Sequence, residues 1–226
     1  MKTDIASDFY NNAGVIEENA PFSERSTMII DRIRGFCEKL ITPNAKTLEI
    51  GCGNGRYSFE FERMGAIPTG IDCAKDIITY AKDFAKQINS TATFISGDAL
   101  DMPFPDRYFD IVFLVSNNIV EFTYDDIAKI CEQSCRVLKQ TGVFCVSMND
   151  ILLHWNGRTI NNDFINHYSC ETGQISSQYE IPDKGIFPYH SYFWTIAMAK
   201  YIFSNYFNQI DIIQADEKRF WIECRL

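Results

Sequence analysis

Three observations on this chain predict a doubly wound α/β fold, with a mostly parallel seven-stranded sheet and helices on both faces. Short apolar runs alternate with helical patterns from Thr47 to Met148, the order that builds parallel strands joined by right-handed crossovers. Within it, Leu48-Glu49-Ile50-Gly51-Cys52-Gly53-Asn54-Gly55-Arg56 sets an acid and alternating glycines between a strand and a helix. The C-terminus closes on two strand-like runs joined by Ala215-Asp216-Glu217-Lys218, an antiparallel hairpin in place of a further strand–helix unit. A lid-like insertion is expected after the fifth strand.

Residues 1–20 mix Asp, Asn and Ala with Phe9, Tyr10 and Ile16. They are too polar for core, so they read as a frayed tail or as an arm folded over a site. Ile29, Ile33, Phe36, Cys37 and Leu40 recur at helical spacing, and Thr42-Pro43-Asn44 stops that helix. Thr47 to Ile50 is the first strand. Arg56 to Met64 follows as a helix burying Phe59 and Phe61, ended by Gly65, where helices favour glycine.

Ile67 to Ile71 is the second strand, closed by Asp72, and Ala74 to Ile88 is a helix with Ile77, Ile78, Ala81, Phe84 and Ala85 on one side. Thr91 to Ile95 is the third strand. The near-continuous apolar run Phe109 to Val115 fits a strand buried on both faces. Thr123 and Asp126 form a capping box for a helix carrying Ile127, Ile130, Cys131 and Leu138, which Gly142 is expected to break. Val143 to Met148 is the fifth strand.

From Asn149 to His190 the pattern loosens, with short alternating pieces such as Ile175 to Ile181. A stretch this long inside a compact domain is usually functional or locally structured, here a lid or a small antiparallel ribbon. Tyr192 to Ser204 reads as a last helix, and Tyr206 to Gln214 and Arg219 to Leu226 as the closing strands. Residues 1–226 are thus expected to form one domain, with an arm over 1–20 and a covering insertion over 149–190.

The formal net charge of −9 argues against a general nucleic-acid binder, whose affinity comes mainly from Lys and Arg on phosphates. Small molecules or protein partners are the better match. No apolar run approaches the ~20 residues that span a bilayer, and the acids near the N-terminus give no sign of a signal peptide. The eight cysteines are scattered, without a Cys-x-x-Cys pair. Cys131 and Cys135 lie one helical turn apart but lack His partners at ligand spacing, so no metal is expected. Free thiols in a reducing cytoplasm are the expected state.

The glycine loop separates two cofactor classes. A dinucleotide loop has G-x-G-x-x-G, but the third glycine position here is Arg56, and glycines stand at 51, 53 and 55. With Glu49 two residues before the first glycine, the run resembles the acid-x-G-x-G-x-G signature of the class I (Rossmann-like) S-adenosylmethionine-dependent methyltransferases. The resemblance extends from about residue 22 to the end and includes the terminal hairpin. It implies S-adenosylmethionine as cofactor, S-adenosylhomocysteine as product and a small-molecule methyl acceptor. The cofactor carries an ammonium group, a physical reason for an acid at Glu49.

On that resemblance, Gly51, Cys52, Gly53, Asn54 and Gly55 line the cofactor. Asp72 would accept hydrogen bonds from two ribose hydroxyls; alternatively it caps the helix beginning at Ala74. Asp98 and Ala99 match the adenine-edge site, with an Asx-turn as the plainer alternative. Cys73 would lie near the adenine plane. Ser116 and Asn117 face the same crevice, because ligands of open parallel sheets sit beyond the strands' C-terminal ends. Ser116-Asn117-Asn118-Ile119 is not the Asn/Asp-Pro-Pro-Tyr signature of enzymes that methylate exocyclic base amines, a second argument against DNA.

Displacement at a sulfonium methyl needs donor and nucleophile held in line and dry, plus a general base for an oxygen or protonated amine acceptor. His154, His167 and His190 lie in or beside the insertion. Tyr189-His190-Ser191-Tyr192 resembles the aromatic-His segment of small-molecule methyltransferases, which puts His190 first as base and His154 second. Tyr10, Trp155 and Tyr192 are candidates to border the acceptor with their π-faces, and ordinary packing is the alternative for each. Glu121 reads as a helix-approach residue. Two rival functions remain open: a non-catalytic cofactor-binding partner of the same fold, and methylation of a protein side chain.

Overall fold

A computed structural model describes residues 2–13, 20–154, 168–169, 171–181 and 183–226. The strands are β1 (Lys46–Ile50), β2 (Ile67–Asp72), β3 (Thr93–Ser96), β4 (Phe109–Leu114), β5 (Leu138–Asn149), β6 (Gln174–Ile181), β7 (Gly185–Tyr192), β8 (Gln209–Gln214) and β9 (Arg219–Arg225). Seven of them form one sheet in the order β3-β2-β1-β4-β5-β9-β8, and β6 and β7 pair as a separate ribbon. The pairs among β1 to β5 are parallel, whereas β9 runs antiparallel to both β5 and β8. The helices are α1 (Lys2–Ala13), α2 (Glu24–Leu40), α3 (Arg56–Arg63), α4 (Lys75–Gln87), α5 (Tyr124–Val137), α6 (Ile151–His154) and α7 (Ile196–Phe203).

Period-two alternation in the central strands divides the interior. Ile111, Phe113 and Val115 pack with Ile30, Ile33, Phe61 and Trp221 on the α2/α3 face. Val112 and Leu114 pack with Ile127, Ile130, Phe144 and Phe203 on the α5/α7 face. Successive residues of β4 serve opposite faces, so the strand reads as apolar throughout. A third cluster of Cys52, Phe59, Ile78, Ala81 and Phe94 lies beneath the glycine loop.

The expected elements are present, with corrections at their ends. The Thr123 capping box forms in both directions, Asp126 N–H to Thr123 Oγ1 at 3.1 Å and Thr123 N–H to Asp126 Oδ2 at 3.0 Å. That helix nevertheless ends at Val137, and β5 begins at Leu138, before Gly142. Leu138 pairs with Phe109 and the register shifts before Ile111. Gly142 therefore lies inside the strand, where a Cβ would come within 2.9 Å of Lys139 O and 3.1 Å of Asp110 O. The last helix starts at Ile196, because Thr195 caps it by accepting Met198 N–H at 3.2 Å. Tyr192 ends β7 instead.

The covering insertion contains an antiparallel ribbon, β6 on β7 from Gln174↔Tyr192 to Ile181↔Gly185. The N-terminal arm is helical. Asn11 Oδ1 accepts the N–H groups of Asp76 and Ile77 at 3.0 and 3.3 Å, satisfying orphan donors at the start of α4. Lys184 Nζ donates to Asn12 O at 3.1 Å from the turn of the ribbon. Among the described residues, no helix is long and apolar enough to cross a membrane.

Candidate functional site

The strand order reverses between β1 and β4, which opens a crevice above their C-terminal ends. The glycine loop fills one side of it. Gly51 and Cys52 both donate N–H groups to Ile71 O, at 2.9 and 3.2 Å, and Gly55 N–H closes the turn on Cys52 O at 2.9 Å. Gly55 has φ 85°, and a Cβ there would sit 2.6 Å from the Phe94 ring. Gly51 has φ 68°, with Asn118 Nδ2 2.7 Å from the position of a Cβ. No side chain other than hydrogen suits either position. Asn118 Nδ2 donates to Gly51 O at 2.9 Å and ties the loop to the end of β4.

Asp72 ends β2 beside this loop. One carboxylate oxygen accepts Gly53 N–H and the other Ala74 N–H, each at 2.9 Å. The capping alternative is therefore realised, and the same side chain also fixes the glycine loop. Each oxygen retains a second acceptor position, the requirement for a ribose diol. Burial pushes the Asp72 pKa up, and the donated hydrogen bonds partly offset that. Exposed Asp98 accepts Leu100 N–H on Oδ1 at 2.8 Å, so the Asx-turn alternative is realised there, and Ala99 beside it is half-buried. Cys73 is exposed at the end of β2.

Glu49 is only 2% exposed and accepts the Ser58 hydroxyl at 2.6 Å. Burial raises its pKa to about 8 against the lowering effects of Ser58 and Arg56. A cation placed near it would favour the carboxylate. Cys52 turns its sulfur under the loop, where it lies 2.6 Å from the position of a Cβ on Gly70, so only its backbone faces the crevice. Buried Asn54 accepts Arg56 N–H at 3.4 Å and shapes the loop from within. Open glycine backbone, a carboxylate with spare acceptor positions at the end of β2 and an interior acid fit S-adenosylmethionine.

Ser116 and Asn117 both adopt left-handed backbone, φ 63° and 64°. Ser116 N–H donates to Ser147 Oγ at 2.9 Å, and Asn117 Oδ1 accepts Asn149 N–H at 2.8 Å. The Asn117 carboxamide thus braces β5, and its neighbour Asn118 is the one that reaches the glycine loop. Asn tolerates left-handed turns, so the Asn-Asn pair was the available signal for both roles. A cavity of ≈ 160 Å³ opens here, lined by Arg32, Tyr57, Ser116, Asn117, Ser147 and Arg219 among others.

The other wall of the crevice is aromatic and acidic. Glu121, in a 3₁₀ turn over Asn118–Glu121, accepts the hydroxyls of Tyr10 from α1 and Tyr189 from β7 on the same oxygen, Oε1. Tyr10 O–H lies at 2.7 Å. Glu121 Oε2 is buried without a hydrogen-bond partner among the described residues. Burial pushes the Glu121 pKa up to about 7, the two tyrosine hydroxyls lower it, and Asp72 raises it. The same burial and the Glu121 charge hold both tyrosines well above the ordinary range.

Tyr10, one of the expected acceptor-side aromatics, is therefore at this wall. Tyr192 is 6% exposed and packs in the α5/α7 core, away from it. His190 faces Ser176 across the ribbon. Successive residues of a strand point to opposite sides, so its imidazole lies on the face opposite Tyr189 and Glu121. Trp155, His167 and the His154 side chain lie outside the described residues. Glu121 was missed by sequence reasoning because its tyrosine partners stand 111 and 68 residues away.

Sheet, switch point and glycine loop define a doubly wound α/β protein with a crevice above the ends of β1 and β4. Residues 47–142 match the model of the methyltransferase domain family. The chain is 26% identical over 140 residues to 27-O-demethylrifamycin SV methyltransferase of Amycolatopsis mediterranei, covering 61% of this chain and 49% of that one. It is 31% identical over 100 residues to an uncharacterized methyltransferase of Bacillus subtilis, covering 44% and 38%. The chain spans about half the length, or less, of the curated relatives it matches.

A crystal structure of a Pyrococcus horikoshii protein superposes with a TM-score of 0.77 at 22% identity over 96% of this chain and 98% of that one. A SAM-dependent methyltransferase of Methanosarcina mazei gives 0.71 at 19%, over 84% and 97%. The match to the methyltransferase domain family over residues 47–142, and a fold like that of these solved structures, are what the chain shares with S-adenosylmethionine-dependent methyltransferases.

Proposed function

We propose that this protein transfers the methyl group of S-adenosylmethionine to an oxygen or nitrogen atom of a small molecule. The observation that carries the reading is Asp72, which accepts Gly53 N–H and Ala74 N–H at 2.9 Å beside the switch point. In this reading Glu49 and the loop Gly51 to Gly55 hold the methionine end, Asp72 the ribose, and Asp98 with Ala99 the adenine. Cys73 borders the ring. Asn118 serves the site indirectly, by fixing the loop to β4.

The bound cofactor supplies an activated methyl on a sulfonium. The protein's share is to hold donor and acceptor in line and to keep water out. The roof built from α1 and the β6–β7 ribbon serves that exclusion, and it suits an acceptor small enough to be enclosed. A cytoplasmic setting is supported by Cys37, Cys52, Cys73, Cys131, Cys135, Cys145 and Cys224, all free thiols.

Thermal unfolding with S-adenosylmethionine, S-adenosylhomocysteine and NAD in parallel tests the reading. At a hundred times the dissociation constant, linkage stabilises by about 2.7 kcal/mol, which raises Tm by roughly 5–11 °C for a domain of this size. A rise with the two sulfur compounds alone is the expected result. No rise with either would overturn the assignment.

A further inference from the structure

We propose that Glu121 is the acceptor-binding carboxylate and proton acceptor of the site, and that the acceptor it selects is a small amine bound as its ammonium. This rests on the methyltransferase reading above and names the substrate class of the same crevice.

The first argument is an unmet charge. Glu121 Oε2 is buried and has no hydrogen-bond partner among the described residues, while both tyrosine hydroxyls crowd onto Oε1. No ion pair to Glu121 is present among the described residues. A buried carboxylate without a countercharge is costly and is normally paired. A buried oxygen without a hydrogen-bond partner among the described residues, in a protein with net charge −9, suits a small cation.

The second argument is the wall around it. Phe9, Tyr10, Tyr179 and Tyr189 form one aromatic cluster, with ring centroids 5.0 Å apart for Phe9–Tyr189, 5.1 Å for Phe9–Tyr10, 5.3 Å for Tyr179–Tyr189 and 5.6 Å for Phe9–Tyr179. Ring faces attract ammonium groups, more strongly where water is excluded. Three of the four carry hydroxyls, and two of those already orient the carboxylate. A carboxylate set in aromatic rings is the combination that separates an ammonium from an alcohol of equal size.

The third argument is position. Glu121 lies three residues after Asn118, which holds the glycine loop at Gly51 O. Its charge interacts with Cys73 and with Asp72 at the end of β2, so the carboxylate stands on the same side of the sheet as the glycine loop. The step balances. The ammonium gives one proton to Oε2, and the freed nitrogen lone pair attacks the sulfonium methyl. A C–N bond forms as the C–S bond breaks, its electrons returning to a neutral thioether sulfur. The product leaves as a methylammonium, and the proton on Glu121 passes to solvent.

Besides Glu121, the titratable groups around this point among the described residues are Tyr10 from α1, Tyr179 and Tyr189 from the ribbon, Asp72 and Cys73 from the end of β2, and Arg56 from α3, which interacts with Tyr10. Burial holds Tyr10 and Tyr189 above their ordinary values, the Cys73 thiol is raised as well, and Glu121 is held at about 7.

Tetramethylammonium isolates the question, because it has no proton of its own to lose; tert-butanol is its neutral counterpart. Protein-observed NMR on the intact chain, saturated with S-adenosylhomocysteine, would follow the ring resonances of Tyr10 and Tyr189 during titration. With a carboxylate titrating at about 7, affinity for the cation should rise about tenfold between pH 6 and pH 8, as the competent fraction rises. The Tyr10→Phe variant, which removes one donor to Oε1, should move that midpoint upward. Glu121→Gln should weaken the cation at least tenfold at pH 8 and abolish the pH dependence, with S-adenosylhomocysteine affinity within twofold. Tetramethylammonium no stronger than tert-butanol, a flat pH profile, or unchanged binding in Glu121→Gln would overturn the proposal. Absence of S-adenosylhomocysteine binding in the same tube would instead remove the methyltransferase reading beneath it.

Discussion

The two walls of the crevice are built on opposite principles. The glycine-loop wall comes from residues 49–98, nearly contiguous in the chain, and its hydrogen bonds are mostly backbone or backbone-to-carboxylate: Gly51 and Cys52 to Ile71, Gly53 and Ala74 to Asp72. The Glu121 wall joins residue 10, residue 121 and residue 189 through side chains alone. The first wall is rigid and generic, suited to a cofactor shared by many proteins. The second can vary one side chain at a time, which suits recognition of one acceptor.

This contrast gives an ordered set of expectations. The largest effect belongs to the backbone wall. Gly55→Val must place a side chain at φ 85° and 2.6 Å from Phe94, which costs about 1–2 kcal/mol for the left-handed backbone and about 1–3 kcal/mol for overpacking. Denaturant unfolding should show a loss of about 3 kcal/mol, and a loss under 1 kcal/mol would mean that the loop yields easily.

Next in size is Asp72→Ala. Removing hydrogen bonds to a charged acceptor costs about 1.5–3 kcal/mol each, so calorimetry should find cofactor affinity lower by about a hundredfold. Near-wild-type affinity would show that the carboxylate serves only to cap α4.

The acidic wall should respond in the opposite sense for stability. The Glu121 pKa is raised to about 7 and that of Glu49 to about 8, from an unfolded value near 4.3. Between these limits the unfolded chain ionises first and binds fewer protons than the folded one, so stability falls as pH rises from about 4.5 to about 8. Glu121→Gln removes part of this slope and should make the unliganded protein about 2 kcal/mol more stable at pH 8, while weakening cation binding. A destabilised Gln variant at pH 8 would mean that the carboxylate is structural.

The smallest effect is expected at the arm. Asn11→Ala deletes the side chain that caps α4 from α1 and should cost about 1 kcal/mol. Amide exchange should quicken in α1 and at the start of α4 while the centre of β4 stays protected. Uniform acceleration would contradict a cap whose effect is confined to α1 and the start of α4.

Much of this was legible in the residues. Glu49, the glycines at 51, 53 and 55, Asp72 and Asp98 all lie at strand ends that period and punctuation located, and the Thr123 capping box was readable as four letters. Local signals failed where a neighbour in space decided the outcome. Gly142 reads as a helix breaker but sits in a strand, because β4 offered Leu138 a pairing partner in Phe109. Asn117 and Asn118 look interchangeable in a turn, yet one braces Asn149 and the other Gly51. His190 stood out as an imidazole, but strand alternation turns it away from Glu121.

By itself, then, the sequence determined the succession of strands and helices and the glycine loop, and through that loop pointed to the cofactor class, because strand period, helix caps and left-handed glycines act over a few neighbouring residues. Only the tertiary structure decided that Glu121 is a buried acid rather than a helix approach. Its environment is made by Tyr10 and Tyr189, which the chain brings to it from its two ends, and desolvation belongs to the folded surroundings, not to the residue.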